Sequence, residues 1–166
     1  MTALLDLVGE ADCLVYGIGN EGREDDGLGW AFVEDLERGG AGQAQLLRRY
    51  QLALEDADLI GRMRRVLFVD STKDPVVPSY AVTRPKPRLD FTFTSHALSV
   101  PALLATCRIC CERTPEVWLL AIRGYQWDLK VGLSAGAGRN LDAALTFARS
   151  PDPIPTSHPA PTGGVR

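Results

Sequence analysis

The stretch CLVYGIGNEGREDDGLG, Cys13 to Gly29, decides how the chain folds. Cys13-Leu14-Val15-Tyr16 is a short continuous apolar run, the pattern of a strand buried on both faces. Leu28 to Arg38 sets Leu28, Ala31, Phe32 and Leu36 at helical spacing, and Gly39-Gly40 stop the helix. Between them lies a glycine-bent strand-to-helix loop carrying three successive acids, Glu24, Asp25 and Asp26. The spacing of Gly17, Gly19 and Gly22 satisfies G-x-G-x-x-G, the dinucleotide fingerprint. That fingerprint offers backbone N–H groups and a helix N-terminus to a pyrophosphate. The three acids would set negative charge against negative charge there; carboxylates on such a loop suit a cation better.

Outward from this loop the same alternation repeats. Strands are expected over 12–17, 45–52, 66–70, 79–83 and 117–122. Helices are expected over 28–38 and 53–63, from about 97–99 with Pro101 in the first turn, and after Ser134. Apolar strands alternating with helices predict an α/β fold, with a mostly parallel central sheet covered on both faces. Residues 1–150 read as a single domain. Residues 151–166, rich in Pro, Ser, Thr and Gly, read as a flexible tail, and His158 within it as incidental.

Bulk properties narrow the function. A chain of 166 residues is long enough to bury roughly two-thirds of its unfolded surface. A formal net charge of −3 and the lack of a Lys/Arg stripe argue against nucleic acid. No apolar window approaches the ~20 residues of a membrane span, and the start lacks a basic leader region, so a cytoplasmic protein is expected. Cys107, Cys110 and Cys111 lack the second pair or spaced histidines of a zinc site, and read as buried or half-buried thiols on a helix.

In open α/β sheets the working crevice lies beyond the carboxyl ends of the strands. Asp26 follows the first strand, Asp70 closes the Val66–Val69 strand, and His96 precedes the helix carrying Leu98, Leu103 and Leu104. Two carboxylates and an imidazole from three such junctions make an open metal site suited to nickel or zinc. Each residue also has a plain structural use. Asp26 could cap the helix after Gly27, Asp70 could bend the chain leaving its strand, and His96 could open its helix.

At these residues the chain resembles the hydrogenase maturation endopeptidases, through GIGNEGREDDGLG, VLFVDS, SHALSV and the later IRGYQWDLKVGLS. The resemblance implies a three-layer α/β/α, phosphorylase/hydrolase-like domain. It would remove the carboxy-terminal extension of a nickel–iron hydrogenase large-subunit precursor after nickel insertion. It assigns metal contact and catalysis to Asp26, Asp70 and His96, with the nickel supplied by the substrate. Gly19, Asn20 and Asp25 would form the substrate loop, Asp25 as a second carboxylate behind the first. The expected partner is the precursor, met by a monomer. Two alternatives stand beside this reading: a non-cutting, chaperone-like binder of the metallated precursor, and a dinucleotide-binding module.

Overall fold

The computed structural model of the chain describes residues 2–89 and 98–154. Three features expected from sequence lie outside the described residues: His96, His158, and the tail beyond Ile154. The strands are β1 (Cys13–Ile18), β2 (Gln45–Arg49), β3 (Arg65–Thr72), β4 (Tyr80–Thr83) and β5 (Glu116–Arg123). The helices are α1 (Leu4–Leu7), α2 (Leu28–Gly39), α3 (Asp56–Gly61), α4 (Val100–Cys110) and α5 (Ala135–Arg149).

The five strands form one sheet in the order β2-β1-β3-β5-β4. All pairings are parallel except that of β4 with β5. Side-chain alternation on the strands divides the core into two layers. On one face Val15, Leu67, Val69 and Leu120 meet Phe32 and Leu36 of α2 and Ala144 of α5. On the other, Leu14, Tyr16, Val66 and Phe68 meet Ile60 of α3 and Leu103 and Leu104 of α4. Each fully buried leucine or phenylalanine contributes about 1.5–3 kcal/mol relative to exposure. The three-layer α/β/α architecture follows from these two apolar faces.

Several boundaries differ from the expected ones for local reasons. β2 stops at Arg49, three residues short, because Leu52 leaves the sheet to bridge Leu98. α3 has six residues where a longer helix was expected. The Asp56 carboxylate accepts the Ala53 N–H at 2.9 Å and the Tyr16 hydroxyl at 2.7 Å, so the preceding residues form a turn. β3 runs on to Thr72, so Asp70 lies within the strand rather than closing it. α4 starts at Val100, capped by Ser99 Oγ, which accepts the Ala102 N–H at 3.2 Å. Cys110 is exposed, correcting the expectation of three sheltered thiols, because the last turn of α4 turns Ile109 and Cys110 to solvent.

The chain runs from β1 outward to β2 and then crosses back to β3 on the other side of β1. The crossovers use α2 on one face and α3 on the other. A crevice opens beyond the carboxyl ends of β1 and β3, where the winding direction reverses.

Candidate active site

The β1–β3 ladder ends with Gly17 opposite Val69, whereas the β3–β5 ladder continues to Thr72 opposite Arg123. Asp70 is therefore the first residue of β3 beyond its pairing with β1. Asp26 comes from the short 3-10 turn Glu24–Gly27 at the head of α2. Asp26 and Asp70 line one cleft of about 400 Å³, with Gly19, Tyr50, Gln51 and Ser99. No lysine or arginine is among the described residues lining it.

Glycine brings the loop to this place. Gly19 has φ +139°, and a Cβ there would overlap the Asp26 carbonyl oxygen. That carbonyl accepts the Asn20 N–H at 3.1 Å, closing the loop on itself, while the Gly19 N–H reaches Arg49 O at 3.0 Å. Asn20 Oδ1 accepts the Gly22 N–H at 2.9 Å, an Asx turn inside the loop. At Gly29 a Cβ would overlap Ile18 O and crowd Val69 O, so α2 lies directly against the strands that bound the cleft. Gly19 and Gly29 thus serve backbone packing around the cleft.

The three acids of the loop have three different fates. Glu24 is buried and its Oε2 accepts the Asp128 N–H at 3.0 Å. Asp25 is wholly buried and accepts N–H groups from Tyr125 (2.7 Å), Gln126 (2.9 Å) and Ser134 (2.7 Å), and the Ser134 hydroxyl at 2.7 Å. Burial alone would raise the Asp25 pKa, but these hydrogen bonds outweigh it and hold the carboxyl below its ordinary range. Asp25 is thereby a pin between the loop and residues 125–134. Both of its oxygens are spent on hydrogen bonds inside the protein, behind Asp26. Only Asp26 turns to the cleft, with Ser71 Oγ 3.5 Å from its Oδ1. Asp26 does not cap α2: the cap position is Gly27, with no side-chain hydrogen bond.

Asp70 is half-buried, and its Oδ1 accepts the following Ser71 N–H at 2.8 Å. Its pKa is raised to about 7: burial is the main cause, the Ser71 N–H pulls it partly back, and the Asp26 charge raises it further. Two carboxylates sharing a cleft that no lysine or arginine among the described residues lines form a donor set whose repulsion a divalent ion would relieve. Among the described residues no three His, Cys, Asp or Glu side chains converge on one point. The third expected ligand, His96, lies outside the described residues; Leu98, two positions on, lines the cleft.

Sequence reading missed Tyr50 and Gln51 as cleft residues and Ser71 as the neighbour of Asp26. Ser71 had a signal, because it follows Asp70 in VLFVDS and strand alternation sends it to the face from which Asp26 arrives. Tyr50 and Gln51 had none, since their place depends on β2 ending early.

This cleft, at the reversal point of a mostly parallel five-stranded sheet flanked by helices, belongs to the fold of the hydrogenase maturation peptidases. The hydrogenase maturating endopeptidase HybD from E. coli is similar at 19% identity, with 80% of this chain and 86% of that chain covered and a TM-score of 0.62. The [NiFe] hydrogenase maturation protease HycI from Thermococcus kodakarensis matches at 19% identity, over 82% of this chain and 92% of that one, with a TM-score of 0.62. The endopeptidase HycI from Escherichia coli matches at 19% identity, over 81% and 88%, with a TM-score of 0.59. At such identities what is shared is the fold. In sequence, no protein-family model and no curated protein matches the chain. Among the described residues no helix is long and apolar enough to cross a membrane.

Proposed function

We propose that the chain is a hydrogenase maturation endopeptidase, cutting the carboxy-terminal extension from a nickel–iron hydrogenase large-subunit precursor once nickel is in place. The observation that carries this reading is the meeting of Asp26 and Asp70 in one cleft at the reversal point of a fold shared with such peptidases.

In this proposal nickel arrives seated in the precursor. Asp26, Asp70 and His96 complete its coordination and so hold the scissile peptide beside the cleft, replacing a bimolecular encounter by a fixed geometry. The bound ion supplies Lewis acidity to the peptide carbonyl or to water. Gly19 and Asn20 keep the loop folded so that Asp26 points outward. Asp25 holds that loop against residues 125–134 and takes no part in proton transfer.

The test is incubation of the purified chain with nickel-loaded and nickel-free precursor, followed by intact-mass measurement. Loss of the extension from the loaded form alone is expected. Equal cutting of both forms removes the metal from recognition, and binding without any change of mass identifies a non-cutting partner of the precursor.

A further inference from the structure

The cysteines at the end of α4 take no part in the cleft. Their C-x-x-C spacing singles out Cys107 and Cys110 as a pair. The structure pairs Cys107 with Cys111 instead. Cys110 is exposed, whereas Cys107 is wholly buried and Cys111 half-buried. Both sheltered sulfurs lie against Gly61 of α3: a Cβ there would stand 2.7 Å from Cys111 Sγ and 3.4 Å from Cys107 Sγ. Two sulfurs that touch one methyl-sized space are within reach of each other. The Cys107 thiol is pushed up to about 12, by burial first and then by the Cys111 thiol beside it.

The backbone permits a bond between them. The Cys111 N–H donates to the Cys107 carbonyl at 2.8 Å, so the two residues are one helical turn apart. Their Cα separation is then about 6 Å, inside the roughly 4.4–6.8 Å that a disulfide spans. Cys111 has already left the helix, extended at φ −116° and ψ 151°, so its side chain is not held in the helical direction. Each thiol donates to a carbonyl of a neighbouring segment, Cys107 to Arg113 O at 3.6 Å and Cys111 to Ala57 O at 3.4 Å.

Access is one-sided. A surface depression of about 410 Å³ has Gly61, Cys110 and Cys111 in its lining, and Cys107 is not part of it. A small reagent therefore meets Cys111 before Cys107. The depression shares no lining residue with the Asp26–Asp70 cleft, so the site does not depend on the peptidase reading.

We propose that Cys107 and Cys111 are a redox-active dithiol, closed to an internal disulfide by a small disulfide such as oxidised glutathione. The Cys111 thiolate attacks one glutathione sulfur, the S–S bond of the reagent breaks, and one glutathione leaves. The Cys107 thiol gives its proton to solvent and attacks the Cys111 sulfur, expelling the second glutathione. The protein gives up two electrons and two protons, and the reagent is reduced to two thiols. Both S–H donors vanish with the new bond. Ala57 O and Arg113 O lose their partners, and the seam between α3 and α4 loosens at Gly61.

The test uses the reduced full chain, incubated with oxidised glutathione, capped with N-ethylmaleimide, denatured and cut with trypsin. Cleavage after Arg108 separates Cys107 from Cys110 and Cys111, so the expected bond joins two peptides and is released by dithiothreitol. The link should persist in Cys110→Ser and be lost in Cys111→Ser. A link lost in Cys110→Ser overturns the proposal in favour of the C-x-x-C pair. A bond confined to Cys110 and Cys111, or bound glutathione with no internal link, overturns it as well. Cys110 is exposed, so its replacement leaves the packing intact and decides the pairing even where Cys111→Ser does not fold. In the oxidised chain amide hydrogen exchange over 57–61 should quicken, and unchanged exchange there overturns the loosened seam.

Discussion

Asp25 and Ser134, 109 residues apart in sequence, are joined by two hydrogen bonds of 2.7 Å, one from the serine N–H and one from its hydroxyl. The same hydroxyl accepts the Ala137 N–H at 3.2 Å as the cap of α5. One carboxylate thereby ties the glycine loop near the amino terminus to the start of the last helix.

This contact predicts that Asp25→Asn acts on stability. An amide presents N–H groups where the carboxylate accepted them, leaving buried donors unpaired, and about 2–4 kcal/mol of unfolding free energy should be lost at pH 7. Because the folded-state pKa of Asp25 is lowered, its stabilisation is present above the ordinary carboxylate pKa and lost as pH falls through the lowered value. The difference between the two proteins should therefore shrink below about pH 4. Urea titrations across pH measure it; a loss under about 0.5 kcal/mol at pH 7 would remove the pin.

Asp70 carries the opposite sign. Its folded pKa is raised to about 7, so the folded protein holds the proton more tightly than the unfolded chain. Stability is fullest below the ordinary carboxylate pKa and declines as pH rises to about 7. In metal-free protein Asp70→Asn should unfold at higher temperature than the parent at pH 8, by roughly 1–2 kcal/mol equivalent after allowing for cleft water. The advantage should vanish near pH 4. Thermal melts at the two pH values decide it, and a variant no more stable at pH 8 would mean that the carboxylate is well solvated.

Asp26→Ala and His96→Ala should each reduce precursor processing by roughly 100-fold or more through lost positioning. The Asp26 variant should melt within a degree or two of the parent, since only the 3.5 Å approach of Ser71 is lost. Full activity in both variants would displace the site.

Gly19→Ala should disrupt the loop outright. The added methyl collides with the Asp26 carbonyl at a φ that alanine rarely adopts, at a cost of about 2 kcal/mol or more. Processing should fall along with stability. Wild-type melting in this variant would show that the loop rearranges freely.

The fold was legible because its two strongest signals were local. Val66–Val69 is apolar without interruption and Leu28–Leu36 has helical spacing, so strand, helix and their alternation followed from periodicity alone. Asp26 and Asp70 could be placed together because one follows β1 and the other lies just past the pairing of β3 with β1, where topology sends both to one crevice. The fates of Glu24 and Asp25 were not legible. Their partners, Asp128 and Ser134, are more than 100 residues away, and nothing in GREDDG distinguishes an acid that turns inward from one that turns out. The end of β2 was hidden for a similar reason, since the Leu52–Leu98 bridge is set by tertiary packing.

The link between Asp25 and Ser134 also sets an order of events during synthesis. The first strand and its loop leave the ribosome early, yet the loop's buried acid finds its donors only when residues 125–134 have followed. Until then Asp25 has no reason to turn inward, and Asp26 has no fixed aim. A nascent chain that ends before residues 125–134 would carry the whole glycine loop and still leave Asp25 without its donors, so the aim of Asp26 is set only once that distant segment has been made.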